Sequence, residues 1–230
     1  MNIALVVAAG NGTRMKNTNG PKQFISVNGK PLMTYSLETF NVHPRIDAII
    51  VVTNEQYIKD VEGMCADYKL SKVKAVVKGG ATRQESVFKG LEKAISLSQG
   101  KDDIVLIHDA ARPLVALKTI SANLEKVKEY GAVSTVVRAN DTIMVSSNEQ
   151  TVEAMPDRNT IYHAQTPQTF KLEEIYKLHL ENKDNNTATD DASLFYKGGK
   201  KVYLVEGERS NFKVTTDDDL LMLEGLLNNK

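Results

Sequence analysis

The chain has almost no cysteine, no excess of charge of either sign and no long apolar run, and each absence closes off a class of function. Cys65 is the single cysteine, so no internal disulfide can form, and a lone thiol in a helical-looking stretch reads as packing in a reducing compartment rather than as a catalytic nucleophile. Lys and Arg number 29, and so do Asp and Glu; there is neither a basic field for a polynucleotide nor an acidic tail. No stretch reaches the roughly 18 apolar residues of a membrane-spanning helix, and the first apolar run lacks a basic n-region. The expectation is a soluble, cytoplasmic protein with no nucleic-acid and no membrane partner. Linkers rich in Pro, Gly or Ser, internal repeats and low-complexity tracts are missing too. The 230 residues are therefore expected to form one domain with a sizeable core.

What is present begins at the N-terminus. Residues 3–9 form an apolar run too short for a helix, which reads as a buried strand emptying into Gly10-Asn11-Gly12-Thr13. Such small residues let backbone N–H groups approach an anion, and Arg14 and Lys22 supply the full charges that a polyphosphate needs. An ordinary strand-to-helix turn with two solvated cations is the competing reading. The loop has no third glycine of a dinucleotide fingerprint and no Gly-Lys-Ser/Thr of a P-loop, so neither common nucleotide motif accounts for it.

Further on, strands and helices alternate. A helix is expected from Pro31 to Phe40. The β-branched run at 48–53 reads as a strand buried on both faces, followed by a helix at 56–68 and a strand at 73–77. After Gly79 and Gly80 a polar turn runs into another helix; backbone groups there, with Ser86, can read a base, or the segment is simply a helix start. A strand at 103–108 delivers Asp109 to its carboxyl end, where a carboxylate can face a metal or a substrate hydroxyl or merely cap the next helix, and Arg112 offers a planar fork for an oxyanion. His108 reads as structural. A helix at 117–130 and a strand at 132–137 follow; the rhythm then breaks over 143–164, which reads as a hairpin-like arm. A helix at 172–180 comes next. Thr189-Asp190-Asp191-Ala192-Ser193 reads as a cap and acidic first turn, a structural role sufficient for it, for a helix ending near Gly198. A strand at 201–205 and a C-terminal helix complete the chain, with Lys213 expected to point opposite to Phe212 and Val214. This is the sequence form of a doubly wound α/β sheet.

Five blocks carry a resemblance. Ala8-Ala9-Gly10-Asn11-Gly12-Thr13-Arg14-Met15 with Pro21-Lys22-Gln23 is similar to the signature loop of the sugar-nucleotide pyrophosphorylase superfamily. Together with His108-Asp109-Ala110-Ala111-Arg112-Pro113, Gln165-Thr166-Pro167-Gln168, Thr189-Asp190-Asp191-Ala192 and Asn211-Phe212-Lys213-Val214-Thr215, it resembles the 2-C-methyl-D-erythritol 4-phosphate cytidylyltransferases and their relatives, the ribitol-5-phosphate cytidylyltransferases. The blocks lie in order across residues 3–220.

The resemblance implies a Rossmann-like, mostly parallel sheet with a projecting β-arm. It implies transfer of the cytidylyl group of CTP to methylerythritol 4-phosphate with release of pyrophosphate, in isoprenoid precursor synthesis; ribitol 5-phosphate, for wall teichoic acid or capsule, is the alternative acceptor. CTP would be held by Ala8, Ala9, Gly10, Gly12, Thr13, Gly80, Ala81, Arg83, Ser86 and Ala110. Arg14, Lys22, Arg158 and Lys213 would be catalytic, and Asp109, Arg112, Thr142 and Thr166 would meet the alcohol phosphate. Mg²⁺ would be bound mainly through the CTP phosphates, with no protein ligand set. The family's homodimers exchange arms, so Arg158 would reach the neighbouring subunit's site. Ala81 departs from relatives that often carry Asp there, which matters little for a main-chain contact.

Such a reaction needs cations and positioning more than covalent help, because charge grows on phosphate oxygens during in-line attack. The lack of a Ser-His-Asp or Cys-His set fits it. Retention of both Arg14 and Lys22 weighs against a nucleotide-binding regulator without turnover. The 108–113 and 189–193 blocks lean towards methylerythritol phosphate; the 165–170 and 138–142 blocks sit comfortably near the ribitol pattern.

Overall fold

The computed structural model describes residues 1–10, 21–183, 185 and 188–228. Strand β1 (Asn2–Val7) is followed by a small hairpin, β2 (Ser26–Val27) and β3 (Lys30–Pro31), and by α1 (Leu32–Val42). Next come β4 (Ala48–Thr53), α2 (Ile58–Asp67), β5 (Val73–Lys78), α3 (Arg83–Leu97), β6 (Ile104–Asp109), α4 (Leu117–Tyr130) and β7 (Ala132–Arg138). The chain ends with β8 (Tyr162–Lys171), α5 (Leu172–Glu181), α6 (Asp191–Lys197), β9 (Tyr203–Glu206) and α7 (Asp217–Asn228).

Among the described residues the main sheet has seven strands in the order β5-β4-β1-β6-β8-β7-β9. β8 runs antiparallel to both its neighbours, and the other pairings are parallel. From β1 the chain steps outward to β4 and β5, then returns across to β6 on the other side of β1. That reversal opens a crevice at the carboxyl ends of β1 and β6, the place where doubly wound sheets bind ligands.

Alternation along the central strands feeds two apolar layers. Ala4, Val6, Ile49 and Val51 pack with Met33, Leu37 and Phe40 of α1 and with Ile120 and Leu124 of α4. Ile3, Leu5, Ile50 and Val52 pack with Val87, Leu91 and Ala94 of α3 and with Leu172 and Ile175 of α5. Burial on both faces is why these strands read as continuous β-branched runs. On α3, a Cβ at Gly90 would lie 2.3 Å from Leu5 Cδ1. The missing side chain lets α3 lie close on the sheet, which sets its first turn over the crevice. A smaller cluster, Val27, Leu32, Val214 and Leu223, ties α7 and residue 214 to the hairpin, and residues 213 and 215 line the same cleft as residues 7–10 at the end of β1.

One expectation changes. The arm expected at 143–164 carries one isolated antiparallel bridge, Val145 with Ala154, and its last three residues belong to β8, with Ala164 opposite Val136. β8 itself escapes an apolar pattern because its buried polar side chains are paired. Thr169 donates to Asn123 Oδ1 at 3.0 Å and Gln168 Nε2 donates to Asp190 Oδ2 at 2.7 Å, so burial leaves these groups satisfied. Among the described residues no helix is long and apolar enough to cross a membrane.

Candidate active site

The crevice is a cleft of about 330 Å³ lined by residues 7–10 at the end of β1, 80–83 at the start of α3, 109–111 at the end of β6, and Lys22, Ser86 and Lys213. Its walls bring together most residues that the sequence singled out: Ala8, Ala9, Gly10, Lys22, Gly80, Ala81, Arg83, Ser86, Asp109, Ala110 and Lys213. Gly12, Thr13 and Arg14 lie outside the described residues.

Asp109 is the electrostatic centre of the cleft. Its Oδ2 accepts from Lys213 Nζ at 2.8 Å, and its Oδ1 faces Arg83 Nε at 3.4 Å. Burial pushes this carboxyl's pKa up, but Arg83 and Lys213 outweigh burial and hold it well below the usual carboxylate range. From below, its N–H donates to Thr166 Oγ1 at 3.1 Å, and that hydroxyl contacts His108 Nδ1 at 3.0 Å. His108 is fully buried, with burial pushing its pKa down to about 4; its Nε2 lies 2.9 Å from the Arg112 carbonyl oxygen. It is therefore a structural prop, as its sequence surroundings indicated.

Lys22 enters from the other side, its Nζ donating to the Val214 carbonyl at 2.9 Å. Lys213 and Val214 thus alternate as expected: Val214 is buried in the small cluster and Lys213 faces the cleft. Gln23 Nε2 donates to the Ala8 carbonyl at 2.6 Å, which fixes the strand end against the turn.

At the far end, the α3 start folds back on itself. Thr82 caps the helix by accepting the Glu85 N–H at 3.1 Å, a contact worth about 1 kcal/mol. Ser86 Oγ donates to the Thr82 carbonyl at 2.8 Å and accepts from Gly80 N–H at 3.0 Å. The Ala81 N–H donates to Glu85 Oε2 at 2.8 Å. A Cβ at Gly80 would lie 2.3 Å from Glu85 Cβ, so the turn closes this tightly only with glycine there.

The profile of the "2-C-methyl-D-erythritol 4-phosphate cytidylyltransferase" family matches residues 2–229. The chain belongs to this family. It is 42% identical over 229 residues to a 2-C-methyl-D-erythritol 4-phosphate cytidylyltransferase of Clostridium acetobutylicum, covering 99% of this chain and 97% of that one. It is also 37% identical to a ribitol-5-phosphate cytidylyltransferase of Streptococcus agalactiae, over 98% and 95%. Among solved structures it is similar to the 4-diphosphocytidyl-2C-methyl-D-erythritol synthase of Anaerococcus prevotii, with a TM-score of 0.85, 27% identity and coverage of 99% and 96%. A second likeness is the Thermus thermophilus 2-C-methyl-D-erythritol 4-phosphate cytidylyltransferase, with a TM-score of 0.77, 29% identity and coverage of 97% and 98%.

Other residues singled out in this cytidylyltransferase-family chain lie off the cleft wall. The fork of Arg112 donates to the carbonyls of Asn211 at 2.9 Å and Ala164 at 3.3 Å, so it clamps two chain segments beneath the site. Thr166 is buried under Asp109. Thr142 is exposed. Arg158 is exposed at the end of the arm, where its Nη1 donates to the Asn140 carbonyl at 3.3 Å. Cys65 is buried, and burial pushes its thiol up to about 11, which suits packing rather than chemistry. Among the described residues no cluster of three His, Cys, Asp or Glu side chains could hold a metal ion, and both oxygens of Asp109 already face cations.

The 189–193 block does more than cap a helix. Asp190 is the N-cap and forms a capping box with Ser193. Asp191, buried behind it, reaches Arg83 Nη2 at 2.8 Å and accepts from His179 Nε2 at 3.0 Å. Arg83 and Asp191 are far apart in sequence, and the signal that could have joined them is a helix-start acid beside a second acid already serving as the cap.

Proposed function

We propose that this chain transfers the cytidylyl group of CTP, as its magnesium complex, to 2-C-methyl-D-erythritol 4-phosphate, giving CDP-methylerythritol and pyrophosphate. The observation that carries the reading is the pairing of Arg83 and Lys213 with Asp109, with Lys22 on the same cleft wall, in the crevice of a family member. The acceptor's phosphate oxygen attacks the α-phosphorus of CTP in line, the bond to the β-phosphate oxygen breaks, and pyrophosphate carries away its electron pair. Charge grows on the equatorial and leaving oxygens. Arg14 and Lys22 stabilise it, and Mg²⁺ travels with the triphosphate, which fits a cleft whose carboxylate already faces two cations.

Ala8, Ala9, Gly10, Gly12, Thr13 and Arg83 serve the triphosphate, while Gly80, Ala81, Ser86 and Ala110 meet the nucleoside. The acceptor lies against the Asp109–Lys213 pair, with Thr142 meeting it at that end and Thr166 and Arg112 supporting that end from beneath. Arg158 completes the site from the other subunit of a homodimer. Exposed Met144, Val145, Val152 and Met155 on the same arm support an interface there, since side chains of this size gather in contact surfaces. CTP is a cytoplasmic metabolite, and the reaction belongs in that compartment.

Ribitol 5-phosphate is the second reading. The 37% identity to ribitol-5-phosphate cytidylyltransferases favours it nearly as well. The test is purified protein with CTP, Mg²⁺ and each alcohol phosphate in parallel while pyrophosphate is followed. A kcat/KM at least about tenfold higher for methylerythritol phosphate supports the first reading; the reverse preference moves the assignment to the second.

A further inference from the structure

Behind the cleft, Asp191 and His179 are each 1% exposed and belong to no step of the reaction. We propose that both are positioning residues: Asp191, held by His179, fixes the Arg83 guanidinium so that Arg83 and Lys213 bracket Asp109 and turn their charge towards the bound phosphates.

The contacts form one continuous chain, from His179 Nε2 to Asp191 at 3.0 Å, Asp191 to Arg83 Nη2 at 2.8 Å, Arg83 Nε to Asp109 at 3.4 Å and Asp109 to Lys213 Nζ at 2.8 Å. A carboxylate only accepts, so the proton between ring and acid sits on His179 Nε2. His179 Nδ1 has no hydrogen-bond partner among the described residues, which leaves the ring's polar role directed at Asp191. An acid in a helix's first turn gains its interaction with the helix at the surface and has no need of burial. Burial is costly to it, and it is tolerated because a guanidinium is its partner. Burial raises the Asp191 pKa, but Arg83 and His179 prevail and hold it below the usual range.

The backbone carrying Asp191 is itself fixed. Ala192 N–H donates to Gln168 Oε1 at 2.9 Å, and Gln168 Nε2 donates to Asp190 Oδ2 at 2.7 Å, so the interior strand β8 holds the start of α6 on both sides of Asp191. A guanidinium paired with one carboxylate can swing about its stem; one paired at Nε and at Nη2 with two carboxylates on opposite sides is restrained between them. Without Asp191, Arg83 would close onto Asp109 alone, and the charge balance between Asp109 and Lys213 would change.

The inference rests on the cytidylyl-transfer reading, and a double-mutant cycle separates the two. Asp191→Asn is expected to lower kcat about tenfold, and to cost nothing further in an Arg83→Met background, because it acts through Arg83. Should Asp191→Asn not fold, His179→Gln enters the same cycle, with a loss of about threefold that also disappears without Arg83. Unchanged kcat in the single variants, or losses that multiply in the doubles, overturns the proposal. Thermal melting supplies a readout that needs no turnover: Asp191→Asn should lower Tm in the parent but raise it in Arg83→Met, where it removes a buried carboxylate that has lost its guanidinium partner. An equal fall of Tm in both backgrounds overturns the pairing. A parent protein inactive with both acceptors, yet showing that reversal of sign, would count against the cytidylyl-transfer reading and not against the pairing.

Discussion

Lys213 and Asp109, 104 residues apart in the chain, meet at 2.8 Å in the cleft. Segment 211–215 is brought there by Val214, whose N–H donates to the Ala111 carbonyl at 2.8 Å and whose side chain is buried among Val27, Leu32 and Leu223. The apolar contact therefore places the cation, and the carboxylate orients it.

Asp109 makes stability depend on pH with a definite sign. Its folded-state pKa lies below the value of about 3.9 expected of an unfolded Asp, so the stabilisation is present above that value and is lost as pH falls towards the folded one. Asp191 titrates in the same direction. Asp109→Asn should destabilise the protein by about 3 kcal/mol at pH 7, as expected when a buried ion pair loses one partner. The Tm gap to the parent should narrow below about pH 4. A gap that widened on acidification would contradict the placement of this carboxylate between two cations.

The strands that carry the cleft were legible because burial on both faces writes a plain pattern: the 48–53 run is β4, residue for residue, and the 117–130 stripe is α4. β8 was not legible. Gln165, Thr166, Gln168 and Thr169 are buried but polar, and what stabilises them lies elsewhere in the chain, at Glu208, Asp109, Asp190 and Asn123. The same limit hid the Arg83–Asp191 pair. A contact between residues distant in the chain leaves no spacing to read, whereas Lys213 between two apolar neighbours left one.

Lys22 and Arg14 are assigned to charge that develops at the transition state. Lys22→Ala and Arg14→Ala should each lower kcat by about 10²-fold or more while the protein stays folded, since each removes a charge rather than an apolar side chain. Steady-state kinetics beside thermal melts checks this, and near-parental turnover in both variants would remove the phosphate-loop assignment.

The tight turn at Gly80 lies at the end of the cleft proposed for the nucleoside. If its backbone and Ser86 read cytosine, CTP should exceed ATP and GTP by at least about 10²-fold in kcat/KM, because a purine would leave buried polar groups unpaired. Gly80→Ala drives a methyl into Glu85 and should cost about 1–3 kcal/mol of stability together with a raised KM for CTP. Parallel kinetics with the three nucleotides decides, and comparable use of ATP would place the chain in a different branch of nucleotidyltransferases.

Arg158 tests whether two subunits share one site. Arg158→Ala and Lys213→Ala proteins should each be poorly active. Mixed and re-equilibrated, they should recover up to about one quarter of parental sites, since half of the dimers are mixed and each of those has one intact site. Activity that stays at the level of the separate variants after demonstrated exchange would put both residues in one chain's site.

The most direct test of the central claim is the product itself. Phosphorus NMR of the protein incubated with CTP, Mg²⁺ and methylerythritol 4-phosphate should show the two coupled signals of a new diphosphate diester rising with pyrophosphate in equal amounts, and rising about 10²-fold more slowly when Lys22 is replaced by Ala. CTP left intact with methylerythritol phosphate, and consumed only with ribitol 5-phosphate or with neither, would contradict it.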